Sequence, residues 1–149
     1  MKKKLVLILA LMVFSLSLFS YSSKLEEKLF YCMGHFGATF LYQSYLNIGM
    51  ISDTWTHNIY TPEDSKSFLN ANLSFLETSK KLVKELTDFS ISKEDRGTFM
   101  EMLAIIENLK GEAECMLKYM ANRKQEDLDQ YEKYRTQAWA QIAKLMDIK

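Results

Sequence analysis

The sequence predicts an all-α fold, a four-helix bundle following an N-terminal signal peptide. Three observations carry that prediction. Apolar residues recur at steps of three and four in four separate stretches. Two of the junctions between stretches carry the chemistry of a helix N-cap. No stretch alternates apolar and polar residues as a half-buried strand would.

The chain opens Met1-Lys2-Lys3-Lys4 and continues through residues 5–19 without a charge. A basic start, an apolar run and small residues behind it (Ser20, Ser22, Ser23) describe a secretory signal peptide. The small-x-small site Ser20-Tyr21-Ser22 puts cleavage after residue 22 and leaves 23–149 as one domain. The apolar run is shorter than the ~20 residues that span a bilayer, which favours cleavage over a retained anchor. Cys32 lies too far beyond the site to carry a lipid on the new N-terminus. The expected location is periplasmic or secreted, with no stable membrane span after cleavage. The three lysines read as bacterial.

Cleavage changes the charge. The chain has 19 basic and 19 acidic residues, and loss of Lys2, Lys3 and Lys4 leaves 16 against 19, a net charge of −3. A mildly acidic domain has no basic footprint for nucleic acid or anionic lipid. The expected state is a monomer or weak dimer. Nothing is low-complexity and no repeat recurs.

The first mature helix is expected to begin near Lys24, with Leu25, Leu29, Cys32, Phe36 and Phe40 on one face and Met33, Gly37 and Leu41 beside it. Gly34, Gly37 and Ala38 make a small-residue flank. That flank suits close helix packing, with a ligand cavity as the alternative. The pattern decays after Asn47, and Gly49 reads as the stop. Residues 51–60 read as a loop in which Trp55, His57 and Tyr60 form a possible partner-binding surface. The alternative has Trp55 and Tyr60 closing the end of the bundle as a lid.

Thr61-Pro62-Glu63-Asp64 starts the second helix with a cap, an N1 proline and acids in the first turn. Phe68, Phe75, Leu82, Leu86 and Phe89 then line one side, with Leu69, Leu73, Leu76 and Val83 adjacent. Glu77 and Lys81 form an expected i,i+4 pair. Asn72-Leu73-Ser74 matches a glycosylation acceptor, but it falls in mid-helix. Ser92-x-x-Asp95 resembles a capping box and opens the third helix. Its apolar stripe is Phe99, Met102, Leu103, Ile106, Leu109, Ala113, Met116, Leu117 and Met120, with Gly111 loosening the middle. Asn122-Arg123-Lys124 reads either as a tight turn or as a polar bulge, and the fourth helix follows from Gln125. Leu128, Tyr131, Ala138, Ile142 and Leu145 form its buried side, with Trp139 and Met146 flanking.

Catalytic and cofactor signatures are absent from the sequence. It has no C-x-x-C-H, C-x-x-C, H-E-x-x-H or phosphate-binding glycine loop. The Glu-x-x-His of di-iron bundles is missing, because Cys32 precedes His35 and Thr54 precedes His57 at that spacing. Met33, Met100, Met102, Met116 and Met120 with His35 have the chemistry of a Cu(I) site, but methionine at helical spacing is ordinary core. A haem held by His35 and a methionine stands equally low. A Cys32–His35 nucleophile pair has the right spacing, but a lone reactive thiol would be at risk in an oxidising compartment. No catalytic residue, cofactor or metal is expected.

Two cysteines in an exported chain are expected to pair, which predicts a Cys32–Cys115 disulfide. The bond constrains the topology. In a plain up-down-up-down bundle the first and third helices are parallel. Cys32 then sits ~12 Å and Cys115 ~33 Å above a common end, beyond the ~7 Å Cα limit. Pairing requires either a crossover connection after Asn47 or a break at Gly111. Two classes of function remain. The first is a non-catalytic exported module that binds a protein or envelope partner through the 51–60 loop or a helix face. The alternative is a carrier of a small ligand, soft metal or haem inside the bundle.

Overall fold

The computed structural model describes the backbone of residues 2–89 and 91–148, and the side chains within those ranges from Lys24 onward. The described residues form four helices and no strand: α1 (Lys2–Thr56), α2 (Pro62–Thr87), α3 (Lys93–Asn122) and α4 (Gln125–Leu145). The side chains that would carry the signal-peptide expectation, residues 1–22, lie outside those described. Among the described residues no helix is long and apolar enough to cross a membrane. The chain divides into two units, Met1–His35 and Phe36–Lys149. The bundle is built within the second.

Two of the helix starts follow the expected chemistry. The Asp64 N–H donates to Thr61 Oγ1 at 3.1 Å, and Pro62 opens α2 where its missing N–H costs nothing. The Asp95 N–H donates to Ser92 Oγ at 2.9 Å and opens α3 in the same way. At α4 the capping passes to Asn122. Its Oδ1 accepts from the Lys124 N–H and its Nδ2 donates to Asp127, both at 2.8 Å.

The helix stops differ from expectation at one point. Gly49 does not end α1: it is buried inside the helix, which runs on to Thr56. The stop is Asn58, at φ 55°. The Ile59 N–H reaches the Thr54 carbonyl (2.8 Å) and the Asn58 N–H reaches that of Trp55 (3.0 Å). That pair of bonds is a Schellman motif, in which Asn tolerates the left-handed position almost as glycine does. Asp147 (φ 52°) closes α4 through the same pair of bonds, and Arg123 (φ 56°) closes α3 with a single bond to Tyr119.

Contacts between named residues fix the topology. Glu77 pairs with Lys110 and Lys80 with Glu107, so α2 and α3 run antiparallel. Arg135 pairs with Glu112 and Lys144 with Glu101, so α3 and α4 do too. Gly37 meets Met102 and Trp55 meets Tyr119, so α1 and α3 are parallel. This is the plain up-down-up-down order. It corrects the Cys32–Cys115 expectation. By the same contacts Cys115 lies level with Ile51, in the upper part of α1, whereas Cys32 lies in the first unit. Both are free thiols, Cys32 exposed and Cys115 buried. No crossover follows Asn47, and α3 passes through Gly111 without a break.

The core lies around α3. Phe99, Met102, Ile105, Ile106, Leu109, Ala113, Cys115, Met116 and Met120 are all buried, joined by Leu41, Ile48 and Ile51 from α1, Leu69 and Leu76 from α2, and Tyr131, Ala138 and Ile142 from α4. Leu103 and Leu117, expected on the buried stripe, are half-exposed, and Ile105 and Cys115 lie deeper. Leu73, Leu128 and Leu145 are likewise only half-buried. A helix with neighbours on three sides buries a wider arc than a single stripe.

Candidate functional site

The expected recognition loop does not take the form the sequence suggested. Trp55 belongs to the last turn of α1 and is buried, edge-on to the Tyr119 ring (6.0 Å between centroids) and under the Arg123 guanidinium (4.1 Å). Those contacts close the end of the bundle, the lid arrangement. His57 is exposed, and its Nδ1 donates to the Asp53 carbonyl at 2.8 Å. Tyr60 is half-buried against Phe68, with ring centroids 5.3 Å apart. The three side chains do not converge on a common surface.

The candidate metal and nucleophile residues are spread over different environments. Met102, Met116 and Met120 are core, whereas Met33 and Met100 are exposed. His35 and Cys32 are exposed on α1 in the first unit. Among the described residues no group of three His, Cys, Asp or Glu side chains is placed to hold a metal ion.

Two other features draw chemistry together. The first is buried and was not signalled by the periodicity. Glu112, on α3, is completely buried, and its Oε1 accepts from Arg135 Nη1 of α4 at 2.7 Å. Its Oε2 has no partner among the described residues. The same guanidinium lies 4.2 Å above the Tyr45 ring and reaches the Tyr45 carbonyl. It fits there because Gly49 leaves the space: a Cβ at that position would stand 2.6 Å from Nη1. Beside it, Tyr45 stacks on Trp139 at 5.6 Å, and Tyr131 hydrogen-bonds Ser52 from within the core.

Desolvation pushes the Glu112 carboxyl up to about 7, and the hydrogen bond and charge of Arg135 only partly offset it. Burial likewise pushes the Tyr131 hydroxyl up to about 12. A buried pair of this kind costs more to desolvate than its attraction repays unless every polar atom is satisfied, and Oε2 is not.

The second feature is exposed. Phe68, Phe75 and Leu82 follow one another at seven-residue intervals along α2, Phe89 follows just beyond its C-cap Asp88, and the four keep 44%, 65%, 57% and 62% of their surface in solvent. The bundle buries the neighbouring line instead, with Leu69 and Leu76 fully inside and Val83 half-buried. The cause is the width of the apolar arc. The two lines differ by one residue, about 100° around the helix, and a single docking can cover only one of them. The Glu77–Lys110 and Lys80–Glu107 pairs seat α2 against α3 on one flank, and the four exposed side chains occupy the other. Burying the rest of each would be worth about 1–2 kcal/mol, and such a line of exposed large apolar side chains marks an interaction surface. No known protein family, no curated protein and no solved structure matches this chain.

Proposed function

We propose that the protein is an exported, non-catalytic helical module that binds a protein partner through the exposed apolar flank of α2. The observation that carries this reading is the line Phe68, Phe75, Leu82 and Phe89. A monomer gains nothing from aligning four large apolar side chains in water, whereas an interface core is made of such groups. The basic and apolar start of the chain supports export. The Trp55 contacts, which occupy that ring within the bundle, turn the reading from the loop to the helix face.

The test is in-cell photo-crosslinking from α2. A benzophenone side chain at position 75 should capture a partner, and one at the exposed position 114 of α3 should not. Absence of any adduct from position 75 would end the proposal. Intact-mass analysis of the native protein tests export separately, with a mature N-terminus near Ser23 as the expected result.

A further inference from the structure

The geometry points to a second copy of this chain as the occupant of that face, with α2 pairing antiparallel to α2 of the other molecule. The inference rests on the α2 reading above and deepens it by naming the partner. It is carried by the pattern of the exposed positions, taken beyond the four large side chains.

Ala71, Thr78 and Glu85 are exposed and fall between the large residues. Within α2 they give Phe68-Ala71-Phe75-Thr78-Leu82-Glu85, spaced three, four, three, four and three. That is a heptad seam. On a straight helix a strict seven-residue repeat drifts by ~20° per heptad, so it stays in register only with another helix wound around it. The occupant is therefore helical, and neither an extended peptide nor a small molecule fits the spacing.

The seam is also complementary to itself. Its large residues hold one set of heptad positions and its small ones, Ala71 and Thr78, the other. In an antiparallel pair these two sets face each other. Phe75 then packs over Thr78 of the other copy, Leu82 over Ala71, and Phe68 over the methylenes of Glu85. A two-fold axis between residues 76 and 77 generates each contact twice, as a closed isologous dimer requires.

Charge selects the same direction. The N-terminal half of the seam is edged by uncharged Ser67 and Ser74, and the C-terminal half by Lys81 and Asp88, all four exposed. Antiparallel pairing sets Lys81 against Ser74 and Asp88 against Ser67. Parallel pairing would put Glu85 directly on Glu85 within the seam, a like-charge contact, whereas antiparallel pairing covers it with Phe68.

The area is sufficient for a modest dimer. At about 200 Å² for each large side chain, the exposed fractions of Phe68, Phe75 and Leu82 leave about 330 Å² per copy. Two copies reach about 660 Å². Ala71, Thr78 and the stems of Lys81 and Glu85 bring the total to the ~1,000 Å² of a specific interface.

The test uses the full chain with a benzophenone side chain at position 82, read by mass spectrometry, beside sedimentation of the unlabelled protein at micromolar concentration. The expected result is a chain-to-chain adduct mapping near Ala71 and a dimer in solution. Leu82→Glu and Phe75→Glu should each convert that dimer to monomer and leave the circular dichroism unchanged, since both positions are exposed. An adduct mapping near position 82 of the other copy would overturn the antiparallel pairing. Adducts only to a different protein would overturn the second copy as occupant and leave the α2 reading standing. No adduct from position 75 or 82 would remove both.

Discussion

Replacing Glu112 with glutamine should stabilise this protein at neutral pH, even though it removes a charged partner from Arg135. The carboxyl is completely buried, has one hydrogen bond from Arg135, and leaves Oε2 without a partner among the described residues. Burial raises it from an ordinary 4.5 to about 7. Because the native state holds its proton more tightly, the associated stability is fully present below about pH 4.5. It is lost as pH rises through about 7, where the unfolded chain has already released the proton and the native state must follow. A shift from 4.5 to about 7, at 1.36 kcal/mol per pH unit, makes the loss about 3 kcal/mol. The protonated acid and the amide have nearly the same shape and the same unplaced donor, so Glu112→Gln should be close to neutral near pH 4. Only the parent then loses ground on the way to about pH 8, and the variant should finish about 3 kcal/mol the more stable. Urea unfolding followed by tryptophan fluorescence at a series of pH values measures this directly, and subtracting the two curves cancels every other titrating group. Parallel curves, or a variant less stable than the parent at about pH 8, would refute the reasoning. Either would mean that the ion pair outweighs its desolvation.

Three further outcomes follow from the packing. Ile106→Ala, at a position 1% exposed, should cost about 2–5 kcal/mol, and a loss below about 1 kcal/mol would mean that the α3 stripe does not face the core. Gly49→Ala should destabilise the fold by about 1–2 kcal/mol despite alanine's higher helix propensity, because the new Cβ displaces the Arg135 guanidinium; an increase in melting temperature would contradict this. A thiol reagent should modify exposed Cys32 in the native protein at once and buried Cys115, whose thiol burial pushes up, only on unfolding. Denatured, unreduced protein without free thiols would contradict the two free cysteines.

The legible parts of this fold were those decided within one or two helical turns. Thr61-Pro62 and Ser92-x-x-Asp95 announced their helices because the capping bond is made by the side chain that marks it. Ile106 and Leu109 on α3 were placed correctly from periodicity alone. The α1 stop was misplaced because glycine next to a fading pattern is the commoner sign. The actual stop, Asn58, depends on a backbone conformation that the sequence only permits. The choice between the two apolar lines of α2 was open for a different reason. Both satisfy helical spacing, and the decision belongs to α3, whose Glu107 and Lys110 draw Lys80 and Glu77 to that side.

Glu112 was illegible for the same cause in stronger form. A glutamate one position before Ala113 reads as a solvated residue at the edge of the stripe, and only the approach of α4 buries it. That approach explains two glycines whose reading from the sequence was a helix stop (Gly49) and a loosened helix (Gly111). Arg135 takes the space that a Cβ at Gly49 would fill, and the Tyr134 ring lies 2.8 Å from where a Cβ at Gly111 would stand. Two consecutive residues of α4 are thus accommodated by one missing side chain on α1 and one on α3. Glycine in mid-helix costs about 1 kcal/mol against alanine, and here each such cost admits a large side chain into a close interhelical contact. The Glu112–Arg135 pair is therefore tied to the register of three helices. Moving α4 by one turn would leave a buried carboxylate without its cation and press a guanidinium against a Cβ-bearing helix. Registers other than the native one are disfavoured by that penalty, whatever the pair contributes to stability in the native register.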